Sequence, residues 1–160
     1  MRSRRTCLIM SLVLLLTAGL TLTVLAADMK PTEGRTLHID AKRHFPSKPA
    51  LVAHHYCKEV SGGLIECQIY DSDSPDAKLV GVKVIVSPET YQTFSAAEKA
   101  RWHAHKTEIP KVAATLPDLS PEEAAKVVKK IEGTYGKVYL LWDPGKGQPA
   151  VGQPSLSILK

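Results

Sequence analysis

Residues 51–71 read LVAHHYCKEVSGGLIECQIYD and contain the clearest structural signal in the chain. Two runs rich in strand-forming residues flank the Ser-Gly-Gly tripeptide at 61–63, which is the layout of a β-hairpin with a short glycine turn. A turn centred on Gly62 puts Cys57 and Cys67 at equal distances on either side, so the two cysteines face each other across the strands. Outside the cytoplasm they would form a disulfide that stabilises the hairpin by about 2–3 kcal/mol. A reduced pair, with Cys57 close enough to the histidines to act as a ligand or nucleophile, is the alternative.

Two further strands are predicted downstream of this hairpin. Residues 79–86 read LVGVKVIV, and the four valines at even positions share one face of a strand. Residues 137–142, KVYLLW, have the composition of a fourth strand, and SLSIL at 155–159 is a candidate fifth.

Three serines mark helix starts between these strands. Pro88 follows Ser87 at the first helical position, and Ser95 and Ser120 each precede a glutamate by three residues, the spacing of a capping box. The helix after Ser120 has an apolar stripe at helical spacing and ends at Gly133; the stripe is Ala124, Val127, Val128 and Ile131. Its lysines lie off the stripe with no aromatic residue among them, so we expect a solvated face rather than a nucleic-acid surface.

The order of hairpin, strand, helices and strand predicts the fold class. We expect one α+β domain at residues 51–160, with a mostly antiparallel β-sheet, the cysteine-containing hairpin and two to three short helices. Residues 27–50 are polar and interrupted by prolines, which predicts an N-terminal arm without a sustained helix or strand.

The N-terminus has the plan of a secretory signal peptide. Three arginines within the first five residues precede an uncharged stretch at 6–27, and Val24 and Ala26 occupy the −3 and −1 places of a cleavage site. Residues 1–26 hold three of the 21 basic residues and none of the 16 acidic ones, so cleavage lowers the net charge from +5 to +2. We therefore expect an exported, periplasmic or secreted domain with no further membrane span and no nucleic-acid partner. An uncleaved anchor, with the domain outside the cytoplasm, is the alternative, because the uncharged stretch is long enough to cross a bilayer of about 30 Å.

Four of the six histidines lie in two tight pairs, His54 with His55 and His103 with His105. Neighbouring residues on a strand point to opposite faces, so only one of His54 and His55 faces any one site. An extended backbone would bring His103 and His105 to one side, whereas a helix would separate them. Together with a third ligand, such a pair would bind a divalent transition metal at a site with an open position. Structural histidines and a non-metal functional site are the alternatives.

Either histidine of the first pair, or a carboxylate, is a candidate for the third ligand; the carboxylates are Glu108 and Asp71. The sequence has no GxSxG, HExxH or CxxC motif, so it specifies no hydrolase, metalloprotease or thioredoxin-like chemistry.

Several of these motifs occur together in a fixed order. They are HHYC at 54–57, a second cysteine ten residues on, IYD at 69–71, LVGVKVIV at 79–86, EKARWHAH at 98–105 and YGKVYLLW at 135–142. In this combination the chain from about His54 to Leu156 resembles the oil body-associated protein family, a domain of unknown function, and we interpret it as a bacterial-type secreted member.

The resemblance implies a shared site more than a shared activity. Plant members are intracellular proteins associated with lipid storage bodies and have no settled enzymatic activity, whereas the predicted signal peptide sets this chain apart. The ten-residue cysteine spacing also occurs in members from reducing compartments, so a disulfide is not the family-wide reason for it. The two histidine motifs mark the expected common site.

We therefore expect an exported binding or accessory domain with a histidine-lined pocket whose ligand is a metal or an unknown small molecule. Its candidate ligand-binding residues are His54, His55, Tyr70, Asp71, Trp102, His103 and His105, and the four histidines among them are the candidate metal ligands. The alternatives are a small metal- or histidine-dependent enzyme, with Cys57 or Asp71 assisting, and a structural protein that makes peripheral contact with a lipid or envelope surface.

Overall fold

The computed structural model describes Lys30, residues 32–147 and the backbone of residues 155–157. The predicted signal peptide lies outside the described residues. The strands are β1 (Leu37–Ala41), β2 (Ala53–Val60), β3 (Leu64–Tyr70), β4 (Leu79–Val86), β5 (His103–Ala104), β6 (Tyr135–Leu140) and β7 (Ser155–Ser157). The α-helices are α1 (Pro88–Gln92), α2 (Ala96–Lys99), α3 (His105–Val112) and α4 (Pro121–Glu132), and a 3₁₀ turn spans Pro144–Lys146.

The strands form one sheet in the order β1-β2-β3-β4-β6-β5, and β7 also pairs with β6. Every strand pair is antiparallel. The α+β class with a mostly antiparallel sheet is therefore confirmed, and the described strands and helices belong to one compact unit assigned to residues 31–160. Within the described residues, no helix combines the length and apolarity needed to cross a membrane.

The predicted hairpin is confirmed in its register. Cys57 pairs with Cys67 across β2 and β3, and their sulfur atoms form a disulfide. Gly62 and Gly63 in the turn have φ of 80° and 71°, a conformation that glycine adopts without the steric cost of a Cβ.

The register divides the sheet into two faces, which we call inner and outer. The inner face carries Ala53, His55 and Cys57 of β2, because these alternate residues point the same way, and partner residues such as Lys83 and Gly136 continue it across β4 and β6. Helices α3 and α4 cover this face and close a cavity against it. The outer face carries His54 and Tyr56, together with Lys137 near α2.

The apolar core on the sheet forms two clusters. One contains Phe45, Ala53, Ile69, Val80, Val138 and Leu140, and the other contains Cys57, Cys67 and Ile85. On β2, His55 lies between Ala53 of the first cluster and Cys57 of the second, so polar residues occupy the inner face between two apolar regions.

The described residues form four α-helices, where two to three were predicted. The three serine-capped helices form as expected, and Ser120 and Glu123 make the full capping box of α4. Helix α3 is the addition. It begins without a side-chain cap at Ala104, and it contains Pro110, a residue that usually ends a helix. The sequence therefore carries no sign of a helix here.

The prediction of an arm without a strand at residues 27–50 was wrong. Residues Leu37–Ala41 form β1, whose residues pair with β2 from Leu37↔Cys57 to Ala41↔Ala53. Phe45 is fully buried. The apolar residues of β1 do alternate with polar ones, as in a strand. The strand was missed because this alternation covers only five residues and does not stand out among the prolines.

Candidate metal site

Two histidines and a glutamate meet on the inner face at the junction of β5 and α3. His103, His105 and Glu108, which we call the inner cluster, have ligand atoms that all lie within 4.8 Å of one another. The Oε2 of Glu108 is 2.5 Å from Nε2 of His103 and 3.8 Å from Nε2 of His105. None of the three residues is more than 7% exposed.

Local backbone geometry brings these residues together. His103 ends an extended segment paired with Gly136, whereas His105 is the first residue of α3 and Glu108 follows it one helical turn later. The sequence left two options open, an extended pair or a helical one, and the structure uses a strand-to-helix junction that keeps the two rings 5.3 Å apart.

Gly136 makes room for both histidine rings. A Cβ at this position would lie 2.5 Å from Nε2 of His105, 2.6 Å from Nε2 of His103 and 2.8 Å from Cε of Lys83. These distances are shorter than any normal contact, so the missing side chain allows the sheet to carry three polar side chains at one point.

Three buried histidines have their ring orientation set by oxygen atoms. The Nδ1 of His44 lies 3.0 Å from the carbonyl of Lys42, and that of His55 lies 3.0 Å from the carbonyl of Ile39. A carbonyl only accepts hydrogen bonds, so each Nδ1 carries the proton and each Nε2 keeps a lone pair. Fixing the distal nitrogen in this way is typical of metal-ligating histidines.

His105 is oriented in the same manner by a hydroxyl group. Its Nδ1 is 2.8 Å from Oγ1 of Thr134, and that hydroxyl donates to the carbonyl of Ile131 at 2.6 Å. Since the hydroxyl proton is already used, Thr134 accepts from Nδ1 of His105. The Nε2 of His105 therefore also presents a lone pair.

Several of these polar atoms are buried without a hydrogen-bond partner among the described residues. They are Nε2 of His44, His55 and His105, both ring nitrogens of His103 and both carboxylate oxygens of Glu108. Nε2 of His103 and Oε2 of Glu108 are close, but the two atoms do not form a hydrogen bond with each other. Buried polar atoms nearly always have a hydrogen-bond partner, so a group of buried atoms without one indicates a place where a ligand would bind.

His44, His55, Lys83, His105 and Glu108 line one small cavity under α3 and α4. Its volume is about 30 Å³, and the rest of its wall is apolar. A space of this size holds an ion with a water molecule, not a metabolite.

Burial keeps the histidines of this cavity neutral. It lowers the pKa of His44 to about 4, with the Lys83 ammonium adding to the effect. Burial likewise lowers the pKa of His55 and of His105 well below the ordinary value. Neutral imidazole is the form that binds a metal.

Lys83 and Glu108 are the charged pair of the site, with Nζ and Oε2 3.8 Å apart. Burial lowers the pKa of Lys83, and Glu108 opposes that shift. Burial alone would raise the pKa of Glu108, but Lys83 and His103 outweigh it, so the net shift is downward. The carboxylate is thus ionised near neutral pH and available as a ligand.

The structure divides the predicted site residues between the two faces. His103 and His105 meet on the inner face together with Glu108, which the sequence had named as a candidate third ligand, and His55 lines the cavity beside them. His54 lies on the outer face, with its Nδ1 2.7 Å from Oδ1 of Asp40.

The other three predicted ligand-binding residues make hydrogen bonds to groups outside the inner cluster. The hydroxyl of Tyr70 donates to Oε1 of Gln68. Asp71 accepts from the backbone of Lys78 within its loop, and Nε1 of Trp102 donates to Glu98. The alternative of a reduced Cys57 is not what the structure has, because its sulfur is bonded to that of Cys67.

Sequence reasoning missed His38, His44 and Lys83. His38 and His44 belong to the segment that was expected to be an arm, so no signal connected them with the sheet. Lys83 did offer one, since it is the single charged residue within LVGVKVIV and a strand of valines otherwise has no reason to carry an ammonium group.

Comparison with known proteins agrees with the resemblance in the sequence. The family "Protein of unknown function (DUF1264)" matches residues 29–159. Oil body-associated protein 2C of Arabidopsis thaliana is 35% identical over 104 residues, covering 64% of this chain and 44% of that protein. Oil body-associated protein 2B of Arabidopsis thaliana is 29% identical over 139 residues, covering 85% and 56%.

A relative from Zea mays, oil body-associated protein 1A, is 30% identical over 108 residues and covers 67% of this chain and 45% of its own length. The chain therefore spans about half the length of the curated relatives it matches. No solved structure matches the chain. Because the family model matches residues 29–159 and these relatives are named oil body-associated proteins, the chain belongs to the DUF1264 family, that of the oil body-associated proteins.

Proposed function

We propose that the chain is a metal-binding domain whose resident ion is a divalent transition metal held by His103, His105 and Glu108. The observation that carries this proposal is the set of buried, unpartnered nitrogen and oxygen atoms around the cavity. Two imidazoles and one carboxylate suit Zn²⁺, Fe²⁺ or Co²⁺, and they leave coordination positions open.

His44 and His55, which line the same cavity as His105 and Glu108, support the same proposal. Their rings lie 4.6 Å apart, and their Nε2 lone pairs are buried without partners. They are able to ligate the ion or to accept hydrogen bonds from a water molecule bound to it. The small cavity favours storage, structural or accessory binding over the processing of a large substrate.

An enzyme that acts on a very small substrate is the second candidate function. The nearby Lys83 favours it, because a buried amine with a lowered pKa can transfer a proton beside a metal. Turnover of carbon dioxide or hydrogen peroxide by the metal-loaded chain would support this candidate over a binding role.

We also propose that the domain is exported. The signal-peptide pattern supports this, and the Cys57–Cys67 disulfide is consistent with an oxidising compartment. A mature N-terminus at Ala27 is expected, whereas retention of residues 1–26 in the exported protein would favour the anchored alternative. The relatives are named for oil bodies, and a lipid-surface role for this chain is the less favoured alternative.

Metal analysis of the inner cluster tests the main proposal. The full chain, purified in mild detergent without a polyhistidine tag, should contain one equivalent of transition metal that Glu108→Gln loses, because the amide keeps the shape but removes the anionic ligand. Elemental analysis and Co²⁺ titration provide the measurement. Glu122→Gln is the matched control, since Glu122 is exposed and pairs with Lys126 on α4. An unchanged metal content in Glu108→Gln would reject the inner site.

A further inference from the structure

A second group of metal-ligand side chains lies on the outer face of the sheet. His38, Asp40 and His54, which we call the outer cluster, have ligand atoms within 4.8 Å of one another. Both histidines approach the same oxygen, since Oδ1 of Asp40 is 3.0 Å from Nε2 of His38 and 2.7 Å from Nδ1 of His54.

The three converging atoms are unpaired. Although the separations are short, Nε2 of His38, Oδ1 of Asp40 and Nδ1 of His54 are buried atoms that make no hydrogen bond among the described residues. A cation at their centre would satisfy all three, and two imidazole nitrogens with one carboxylate oxygen again form a donor set for a divalent transition metal.

Asp118 orients His38 from behind. Its Oδ2 lies 3.2 Å from Nδ1 of His38 and accepts a hydrogen bond, which directs the opposite nitrogen towards Asp40. This is the arrangement in which a carboxylate holds a metal-ligating histidine in the required tautomer. The Tyr56 ring stacks on His38 with centroids 4.4 Å apart and holds the imidazole in plane.

The surroundings of the outer cluster are acidic. Asp40 belongs to the cluster itself, Asp118 approaches Nδ1 of His38, and Asp73 accepts a hydrogen bond from the hydroxyl of Tyr56, whose ring stacks on His38. Three carboxylates around two histidines create a negative potential that favours a cation. In the inner cluster, by contrast, the Lys83 ammonium lies 3.8 Å from the carboxylate.

We propose that His38, Asp40 and His54 form a second divalent-metal site, with Asp118 as a positioning residue. His54 ligates through Nδ1 and His38 through Nε2. The proposal stands on the outer face alone. If the inner site of the proposed function is also correct, the adjacent His54 and His55 serve two sites on opposite faces of one strand.

The outer site differs from the inner one in its access to solvent. The side chains of Asp40 and His54 are 23% and 15% exposed, whereas those of His103 and Glu108 are 5% and 4% exposed. Tyr56 also lines a polar groove of about 630 Å³ beside the outer cluster. The outer ion should therefore exchange with a chelator faster than the inner one.

Titration with Co²⁺ tests the second site in the tag-free full chain after chelator treatment. The unsubstituted chain should bind two equivalents, and Asp40→Asn should bind one. Asp118→Asn should keep two equivalents but weaken one of them about tenfold or more, as expected for loss of an orienting carboxylate. Asp76→Asn is the control, because it removes the same charge from an exposed loop residue outside the cluster.

Nitrogen chemical shifts of ¹⁵N-labelled histidine provide a readout that a folding defect would not imitate. Zn²⁺ should shift Nδ1 of His54 and Nε2 of His38, while far-UV circular dichroism checks that each variant is folded. His54→Gln replaces Asp40→Asn if the latter fails to fold.

The possible stoichiometries separate the two proposals. One equivalent that depends on Glu108 but not on Asp40 would overturn the outer site and leave the proposed function standing. One equivalent that depends on Asp40 alone would do the reverse, and no bound Co²⁺ would reject both.

Discussion

Gly136 leaves the space that His103 and His105 occupy, because it has no Cβ atom. It faces His103 across the β5–β6 pair and lies beside Lys83, so any side chain here competes with the ligands for the same space. A strand interior disfavours glycine, and its presence at this point is explained by the close approach of the two histidines.

Substitution Gly136→Ala should therefore disrupt both packing and metal binding. We expect a loss of about 1–3 kcal/mol in the free energy of unfolding, as for other overpacked cores, together with loss of the metal that depends on Glu108. Urea unfolding and Co²⁺ titration provide the two measurements.

Gly133→Ala is the matched control for this substitution. A Cβ there would lie 3.7 Å from the nearest atom, the carbonyl of Lys130, which is an ordinary contact. Equal effects of the two substitutions would show that the space beside the histidines is not limiting.

Among the structural elements, those with local signals were predicted and those without were not. The turn glycines and the cysteine register specified the β2–β3 hairpin, and the serines specified three helices, because caps and turns depend on residues close in sequence. Strand β1 and helix α3 lacked such signals, and tertiary contacts hold them. Asp40 and Thr115, for example, exchange two backbone hydrogen bonds at 2.9 Å, so the α3–α4 connection is fastened to the edge of β1.

The disulfide between Cys57 and Cys67 should stabilise the protein through the β2–β3 hairpin. Closing a loop with a sequence separation of 10 residues lowers the entropy of the unfolded chain, which corresponds to a stabilisation of about 2–3 kcal/mol. The double variant Cys57→Ala, Cys67→Ala should lose about this much in urea unfolding and should still fold, because the strand pairing does not need the sulfur atoms.

Thiol titration supplies the accompanying check. The unfolded, non-reduced protein should show no reactive thiol from Cys57 or Cys67. Two reactive thiols, or a double variant as stable as the parent, would contradict a stabilising role for this bond.

Across the whole molecule, the two candidate sites differ in how far apart their residues lie in the sequence. The alternation of a strand predicted that His54 and His55 would separate, and this was correct. Glu108 was predicted as a candidate ligand, because it lies close in sequence to His103 and His105, whereas Asp40 was not, because it reaches His54 only through the pairing of β1 with β2. The sequence thus identified the histidines of β2 as candidate ligands, while the pairing of β1 with β2 determined which carboxylate lies beside His54.

Acid should destabilise the metal-free protein as a whole through its buried neutral histidines. In the unfolded chain a histidine has a pKa near 6.5, whereas burial lowers the pKa of folded His44 to about 4 and lowers those of His55 and His105 as well. Between these values the unfolded state binds more protons, so stability falls as the pH falls from about 6.5. His44 alone accounts for about 3 kcal/mol by pH 4.

Urea unfolding in the presence of a chelator, from pH 7.5 to pH 4.5, measures this dependence. Most carboxylates remain ionised over that range, so the slope reports mainly on histidine. His44→Gln should reduce the slope by up to one proton, because the amide can still donate to the carbonyl of Lys42 but does not titrate. The same slope in this variant and in the parent chain would show that folded His44 binds its proton as readily as an unfolded histidine, and therefore that burial does not lower its pKa.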